Sequence, residues 1–135
     1  MVVVDTNVLA WLFVEGEPSA NTRALYAHDA DWHSERFVLI EMTNVLATTM
    51  RVRGMTLTRA SDALLAASRL IEPGLVTVEH ADALAFASRY RVSAYDARFL
   101  AAARALDTRL VTEDSRLRRA APALTRSLVD AIAEI

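Results

Sequence analysis

The first thirteen residues decide the fold: Met1-Val-Val-Val-Asp-Thr-Asn-Val-Leu-Ala-Trp-Leu-Phe13. The β-branched run Val2 to Val4 predicts a buried strand, because branched side chains fit a pleated surface. Asp5 ends this run, and Thr6 or Asn7 is expected to cap a helix from Val8 to Phe13. Asp5 is then at the carboxyl end of a strand, where ligands bind in open α/β sheets. An acid that only caps the helix is the simpler alternative.

Length and composition indicate one ordinary domain over residues 1–135. The hydrophobic fraction of 53% is ample for a core, yet no apolar run reaches the roughly 18 residues that a membrane span needs. The N-terminus has no basic region typical of a signal peptide. The absence of cysteine excludes disulfides and thiolate metal sites, which fits a cytoplasmic protein.

The charge balance does not indicate a nucleic-acid-binding surface. The formal net charge is -2, and all 15 basic residues are arginine. Biased genome composition explains the missing lysine better than a preference for phosphate contacts does. The three histidines show no metal-ligand spacing, so we expect them to be structural or on the surface.

Strands and helices alternate along the chain. A long helix is predicted from Glu35 to about Arg53, with Ser34 as its N-cap, and its nearly apolar first half should be buried all round. Further strands are predicted at 31–33, 75–78, 109–112 and near 125–128, with a terminal helix after the last. Alternation of this kind predicts an α/β fold, with a mainly parallel sheet of about four to five strands flanked by about six to seven helices.

Four acids occupy positions that do not suit ordinary surface carboxylates. Asp5 and Asp114 end strands, Asp96 opens a helix, and Glu41 interrupts the apolar half of the long helix. Each alone could be a helix cap, a first-turn acid or a paired charge. An unpaired carboxylate at Glu41 would cost several kcal/mol, so it needs an arginine, a metal or an open cleft. If the four converge, a hard cation such as Mg²⁺ or Mn²⁺ would suit them.

Four motifs carry a resemblance to a known family. They are Val-Asp-Thr-Asn-Val-Leu at 4–9, Glu41-Met-Thr-Asn44, Tyr95-Asp96-Ala97 and Leu-Val-Thr-Glu-Asp at 110–114. In their order and spacing the chain resembles PIN-domain proteins, specifically the VapC-type toxin ribonucleases of toxin–antitoxin pairs. The motifs span nearly the whole chain, and together they are far more specific than any one of them.

The resemblance implies a metal-dependent endoribonuclease, the toxin component of a type II toxin–antitoxin system. Its substrate would be a structured cellular RNA: a transfer, ribosomal or messenger RNA. The catalytic acids, which also hold Mg²⁺ or Mn²⁺, would be Asp5, Glu41, Asp96 and Asp114. The polar residues that orient them by hydrogen bonds would be Thr6, Asn44 and Thr112.

Residues around Asp114 add further expectations. Ser115 could bind phosphate through the start of the last basic helix, and Arg116 could contact the RNA backbone, together with Arg118 and Arg119. Glu113 is adjacent to Asp114 and could substitute for it.

The partners implied by the resemblance are an RNA substrate, a cognate antitoxin protein and a second copy of the chain. A partner helix could lie in a groove lined by aromatic residues, although we expect at least half of them to be core: Trp11, Phe13, Trp32 and Phe37.

Two other functional classes remain open. One is a non-catalytic PIN-fold module that binds RNA or protein, against which the complete set of acids argues. The other is a magnesium-dependent phosphatase or receiver-type protein. A phosphatase of this kind would need a second aspartate where the chain has Asn7, and a receiver would need a lysine, which the chain lacks.

Overall fold

Five short parallel strands form the central sheet in the computed structural model, which describes residues 1–134. The strands are β1 (Val2–Val4), β2 (Trp32–Glu35), β3 (Leu75–Val76), β4 (Leu110–Val111) and β5 (Thr125–Arg126). Their order across the sheet is β3-β2-β1-β4-β5, and every neighbouring pair is parallel. The predicted α/β class and parallel sheet are confirmed. Ile135, which the single-domain prediction includes, lies outside the described residues.

Eight helices connect and follow these strands within residues 1–134, one more than the upper end of the expected number. They are α1 (Thr6–Ala10), α2 (Ser19–His28), α3 (Val38–Arg53), α4 (Leu57–Ile71), α5 (His80–Tyr90), α6 (Ala94–Ala105), α7 (Ser115–Ala120) and α8 (Leu128–Ala133). Short 3-10 turns, Glu72–Gly74 and Pro122–Leu124, lead into β3 and β5.

The strand order creates a switch point beside β1. From β1 the chain moves to β2 and β3 on one side, then returns to place β4 and β5 on the other side. Connections that leave a parallel sheet in opposite directions open a crevice at the carboxyl ends of the two strands involved. Asp5 follows β1 and Thr112 follows β4, so both residues are at this crevice.

The predicted start of the long helix is wrong. Ser34 and Glu35 belong to β2, where Ser34 pairs with Leu75 and Glu35 with Val76. The hydroxyl of Ser34 donates to the carbonyl oxygen of Val4 at 2.7 Å instead of capping a helix. Pairing with strands on both sides outweighs the local capping preference, so α3 begins only at Val38.

The prediction that the first half of this helix is buried all round is also wrong. Val38, Met42 and Leu46 form its buried face, whereas Ile40 is 64% exposed. This spacing is that of an ordinary amphipathic helix with one face on the core. The helix ends as expected at Gly54, which has the left-handed conformation that favours glycine.

Helix α1 begins earlier than predicted. Asp5, not Thr6 or Asn7, is its N-cap, and the helix ends at Ala10 rather than at Phe13. The backbone of Asp5 is extended, and its side chain accepts a hydrogen bond from the backbone N–H of Val8 in the first turn. Thr6 is therefore inside the helix.

The aromatic residues considered for a partner groove contribute mainly to the core. Trp32 is 3% exposed, and Trp11, Phe13 and Phe37 are partly buried against the same core. Within residues 1–134, no helix has both the length and the apolar character to cross a membrane.

Candidate active site

Asp5 is held by two different hydrogen bonds at the end of β1. One carboxylate oxygen, Oδ1, accepts from the backbone N–H of Val8 at 3.2 Å, which caps α1. The other, Oδ2, accepts from the hydroxyl of Thr112, which follows β4 and is fully buried. The simpler interpretation of Asp5 as a helix cap is therefore correct for one oxygen, while the other is tied to a neighbouring strand.

Thr112 also fixes the segment that carries Asp114. Its hydroxyl oxygen accepts from the backbone N–H of Asp114 at 3.1 Å. Asp114 in turn is the N-cap of α7, and its Oδ1 accepts from the backbone N–H groups of Arg116 and Leu117 at 2.9 and 3.1 Å. One buried hydroxyl thus links the ends of β1 and β4.

Glu41 finds its partner on α1. Its Oε1 accepts from the hydroxyl of Thr6 at 2.8 Å. Thr6 is in α1 directly after Asp5, so the bond joins the first turn of α1 to the first turn of α3. Asp96 is in the first turn of α6, where its backbone N–H donates to the N-cap hydroxyl of Ser93 at 3.0 Å.

The structure brings all four predicted acids to one cleft of about 180 Å³, which we call the acidic cleft. Of the polar residues predicted to orient them, Thr6 and Asn44 also line it. The full lining is Asp5, Thr6, Asn7, Glu41, Asn44, Val45, Asp96, Phe99 and Asp114. Residues far apart in the chain therefore share a single solvent-accessible site.

Burial and mutual repulsion make these carboxyl groups harder to ionise than usual. Desolvation raises the pKa of Asp5 from 3.8 to about 6, with smaller contributions from the charges of Asp96 and Glu41. Its bonds from Thr112 and Val8 act in the opposite direction. Desolvation likewise raises the pKa of Glu41, with a contribution from Asp96, and the pKa of Asp96, with a contribution from Asp114.

No positive side chain neutralises the acidic cleft. In the described part of the chain, none of the four acids forms an ion pair. The arginine partner considered for Glu41 is thus absent among these residues, and an open cleft with a threonine hydroxyl takes its place. All four acids are at helix N-termini, where the helix dipole partly offsets negative charge: Asp5 and Asp114 as caps, Glu41 and Asp96 in first turns.

The donor set is chemically suited to a divalent cation. Carboxylate, hydroxyl and amide oxygens are the ligands that Mg²⁺ and Mn²⁺ prefer. Nevertheless, residues 1–134 contain no group of three or more His, Cys, Asp or Glu side chains arranged closely enough to hold an ion. An ion bound here would therefore be held by one or two carboxylates together with water molecules, as is usual for Mg²⁺.

The residues predicted to contact phosphate are outside this lining. Ser115 and Arg116 are exposed at the start of α7, and Arg119 is exposed on the same helix. Arg118 points elsewhere, because its Nη1 donates to the carbonyl oxygen of Thr112 at 2.8 Å and to Glu113 at 3.2 Å.

The same contacts define the role of Glu113. One of its carboxylate oxygens accepts from Arg118, and the other accepts from the backbone N–H of Leu128 at 3.1 Å. Its carboxylate connects the end of β4 to the start of α8 and does not line the acidic cleft. Glu113 is therefore a structural residue rather than a substitute for Asp114.

Sequence reasoning missed a second group of charged residues close to the cleft. Glu35 is 2% exposed, and it accepts from the backbone N–H groups of Phe37 at 2.6 Å and Val78 at 3.2 Å. Arg98 on α6 forms an ion pair with it at 3.6 Å. The sequence contains one signal, a charged residue inside the run 32–40, but our prediction places Glu35 in the first turn of the long helix, where the helix dipole favours an acid.

Comparisons with known proteins agree with this architecture. The family model described as the PIN domain matches residues 2–122. The crystal structure of PAE2754 from Pyrobaculum aerophilum has the same fold, with a TM-score of 0.78 at 18% sequence identity, covering 98% of this chain and 94% of that chain. At this identity the likeness concerns the fold alone. No curated protein matches the chain.

Proposed function

Because the chain belongs to the PIN domain family, whose members are generally nucleases, we propose that it is a metal-dependent endoribonuclease. One observation carries the proposal: four acids from four separate stretches of the chain line one cleft that holds no compensating arginine. Keeping such a group of carboxylates together is unfavourable unless a cation binds there. A structural role would be better served by neutral or paired side chains.

Asp5, Glu41, Asp96 and Asp114 would hold the cation, either Mg²⁺ or Mn²⁺. When bound, it would offset charge on the scissile phosphate and lower the pKa of a nearby water. Thr112 and Thr6 hold the carboxylates of Asp5 and Glu41 by direct hydrogen bonds, which fixes the direction of their free lone pairs. Asn44 contributes an amide to the same cleft.

The reaction in this proposal is hydrolysis of an RNA phosphodiester. Water attacks phosphorus, a carboxylate takes the proton from that water, the bond from phosphorus to the leaving ribose oxygen breaks, and solvent protonates that oxygen. Asp96 is one candidate for the base, because it lines the cleft and is only partly buried, whereas Asp5 already accepts two hydrogen bonds. Asp114, more exposed at the cleft edge, is the alternative.

RNA would approach past the start of α7. Ser115, Arg116 and Arg119 are exposed there, within five residues of Asp114. These side chains would contact backbone phosphates and so offset, locally, the negative overall charge of the chain. Arg118 is excluded from this role because it is already bonded within the domain.

The proposal includes the biological role implied by the resemblance, the toxin of a type II toxin–antitoxin pair. Its partners would be a cognate antitoxin and a second copy of the chain. Exposed apolar side chains on α3 and α4 support a homodimer: Ile40, Val52, Leu57 and Leu65 are each at least 50% exposed. Light scattering of the purified chain tests this, and a monomeric mass at micromolar concentration would contradict it.

The decisive experiment is cleavage of total RNA by purified protein with Mg²⁺, with Mn²⁺ and with EDTA. We expect discrete cuts that need the metal, and the mapped ends would identify the substrate as transfer, ribosomal or messenger RNA. Asp5→Asn should abolish cleavage without unfolding the chain. Asp62→Asn, which changes an exposed acid on α4, is the matched control and should cut normally. Full activity of Asp5→Asn, in a preparation free of contaminating nuclease, would overturn the proposal.

A non-catalytic binding module is the second candidate. The observation in its favour is that no three acids within residues 1–134 stand close enough to share an ion. Titration with Mg²⁺ and Mn²⁺ separates the two. Binding lost in Asp5→Asn supports the nuclease, whereas no binding at millimolar metal supports the module.

A further inference from the structure

Two aromatic rings bridge the helices that carry Glu41 and Asp96. Phe37 and Tyr95 stack in parallel, with ring centroids 5.2 Å apart and planes inclined by 6°. Phe37 immediately precedes α3, one turn before Glu41, and Tyr95 is in the first turn of α6, next to Asp96. The stacked pair therefore joins the starts of the two helices that supply these acids, although neither ring belongs to the cleft lining.

Phe37, one ring of this stack, is held in place by its neighbours. Phe37 is partly buried against the core, and its backbone N–H donates to the buried carboxylate of Glu35 at 2.6 Å. Arg98, one turn after Tyr95 on α6, forms an ion pair with the same carboxylate and donates to the carbonyl oxygen of Val78 at 2.9 Å. Both helix starts are thus tied to Glu35, and this connection fixes the ring planes relative to the cleft.

Tyr95, the other ring of the stack, is open to solvent. Tyr95 is 61% exposed although Phe37 covers one of its faces. An exposed aromatic ring that already belongs to a stack can be extended by one more flat ring. Unpaired nucleobases bind to proteins in this way, and the contact tolerates any sequence because every base has an aromatic face.

We propose that Tyr95 is the stacking platform for one unpaired nucleobase of the substrate, beside the acidic cleft. The inference rests on the proposed function and adds to it a residue that binds a base. A base can reach Tyr95 only where the RNA is single-stranded or in a loop. Bases of a continuous duplex are stacked on one another, so none is available to cover Tyr95.

A binding measurement tests this independently of cleavage. The probe is a short single-stranded RNA of uridines with one central 2-aminopurine, whose fluorescence is quenched when it stacks. The protein carries Asp5→Asn so that the probe stays intact. On this background we compare Tyr95→Leu, which removes the aromatic face, with Tyr95→Phe, which keeps it. Leu84→Ala changes a similarly exposed apolar residue on α5, outside the acidic cleft and the proposed dimer surface, and serves as the control.

We expect Tyr95→Leu to bind the probe at least about five-fold more weakly and to lose the quenching, because base–aromatic stacking dominates such contacts. Tyr95→Phe and Leu84→Ala should retain both affinity and quenching. Pairing the probe with its complement should remove the dependence on Tyr95. Circular dichroism must show equal folding of all variants, which the exposure of Tyr95 favours.

Equal binding and quenching by Tyr95→Leu and the parent would overturn the proposal. So would a change in oligomeric mass with RNA binding unaltered, since Tyr95 would then belong to a protein interface. Failure of the proposed function has a different signature. In that case the wild-type chain cuts no RNA with either metal. The role of Tyr95 is then judged separately, by whether Tyr95→Leu weakens binding of the probe.

Discussion

Replacing Asp5 by asparagine should make the metal-free protein more stable above pH 7 while abolishing its activity. The ionised carboxylate of Asp5 lies among other acids and is poorly solvated, so its charge opposes folding. Asparagine has nearly the same shape and keeps an oxygen for the N–H of Val8. Its amide replaces the oxygen that accepts from Thr112, and the threonine hydroxyl can accept from that amide after rotation.

The size of the effect follows from the pKa of Asp5. Raising it from 3.8 to about 6 corresponds to about 3 kcal/mol at most. An acid whose pKa is higher in the folded chain stabilises the fold while protonated; this contribution is fully present below pH 3.8 and is lost as the pH rises from there through about 6. Water in the open cleft and the rearranged bond to Thr112 reduce the expected gain in Asp5→Asn to about 1–2 kcal/mol at pH 8.

Urea unfolding followed by the fluorescence of Trp11 and Trp32 measures this difference. The experiment is run in EDTA at pH 5 and pH 8. At pH 5 Asp5 is mostly neutral in the folded protein but already mostly ionised in the unfolded chain, so the variant should be more stable by only about half of the difference expected at pH 8. At pH 8 the variant should be more stable. Asp62→Asn, an exposed substitution on α4, should change the free energy of unfolding by less than about 0.5 kcal/mol at either pH.

The reasoning is refuted if the stability difference between Asp5→Asn and wild type does not grow from pH 5 to pH 8. That outcome would mean that Asp5 is well solvated or neutralised in the folded protein. A stabilised but inactive variant would instead identify Asp5 as a residue retained for function at the expense of stability.

Three further changes test the same contacts. Adding Mg²⁺ at pH 8, at a hundred times its dissociation constant, should raise the free energy of unfolding of the wild type by about 2.7 kcal/mol, measured by urea unfolding. The free energy of unfolding of Asp5→Asn should rise much less, and equal increases would contradict metal binding by Asp5. Thr112→Val should lower the cleavage rate about 10- to 100-fold and lower the free energy of unfolding in urea by about 1–3 kcal/mol, whereas Thr112→Ser should preserve both. A fully active valine variant would show that Thr112 does not orient Asp5. Glu35→Leu should lower the free energy of unfolding by about 3 kcal/mol or more, since it removes the carboxylate that pairs with Arg98 and accepts from two backbone N–H groups. Glu35→Gln should lower it less. Equal losses for the two variants in urea unfolding would argue against the ion pair.

Much of the candidate site could be predicted because its chemistry is local in the chain. Asp5 directly follows a strand of three valines, and Asp114 comes three residues after the end of another short apolar strand, so each position can be recognised from its neighbours. Glu41 was conspicuous because a charge interrupted an apolar helix. The four motifs kept their order along the chain, which made the family recognisable without knowledge of any contact.

Other residues could not be assigned from their neighbours. Ser34 and Glu35 have the local features of a helix start, yet they pair as part of β2, and Glu35 becomes a buried acceptor for two separate segments. Arg98 gives no sign in the sequence that it reaches this carboxylate. In the sequence, Tyr95 stands out only as part of a motif. Its stacking on Phe37 depends on two helices that begin 56 residues apart in the chain.

The sequence by itself determined the alternation of strands and helices, and which acids resist an ordinary surface role, because hydrophobic pattern and charge act between close neighbours. Only the tertiary structure decided the strand order β3-β2-β1-β4-β5, which places Asp5 beside Thr112 and opens the cleft at the switch point. The physical reason is that backbone hydrogen bonds between strands are nearly the same for any sequence. Their partners are chosen by packing of the whole chain, and that choice brings the four carboxylates together.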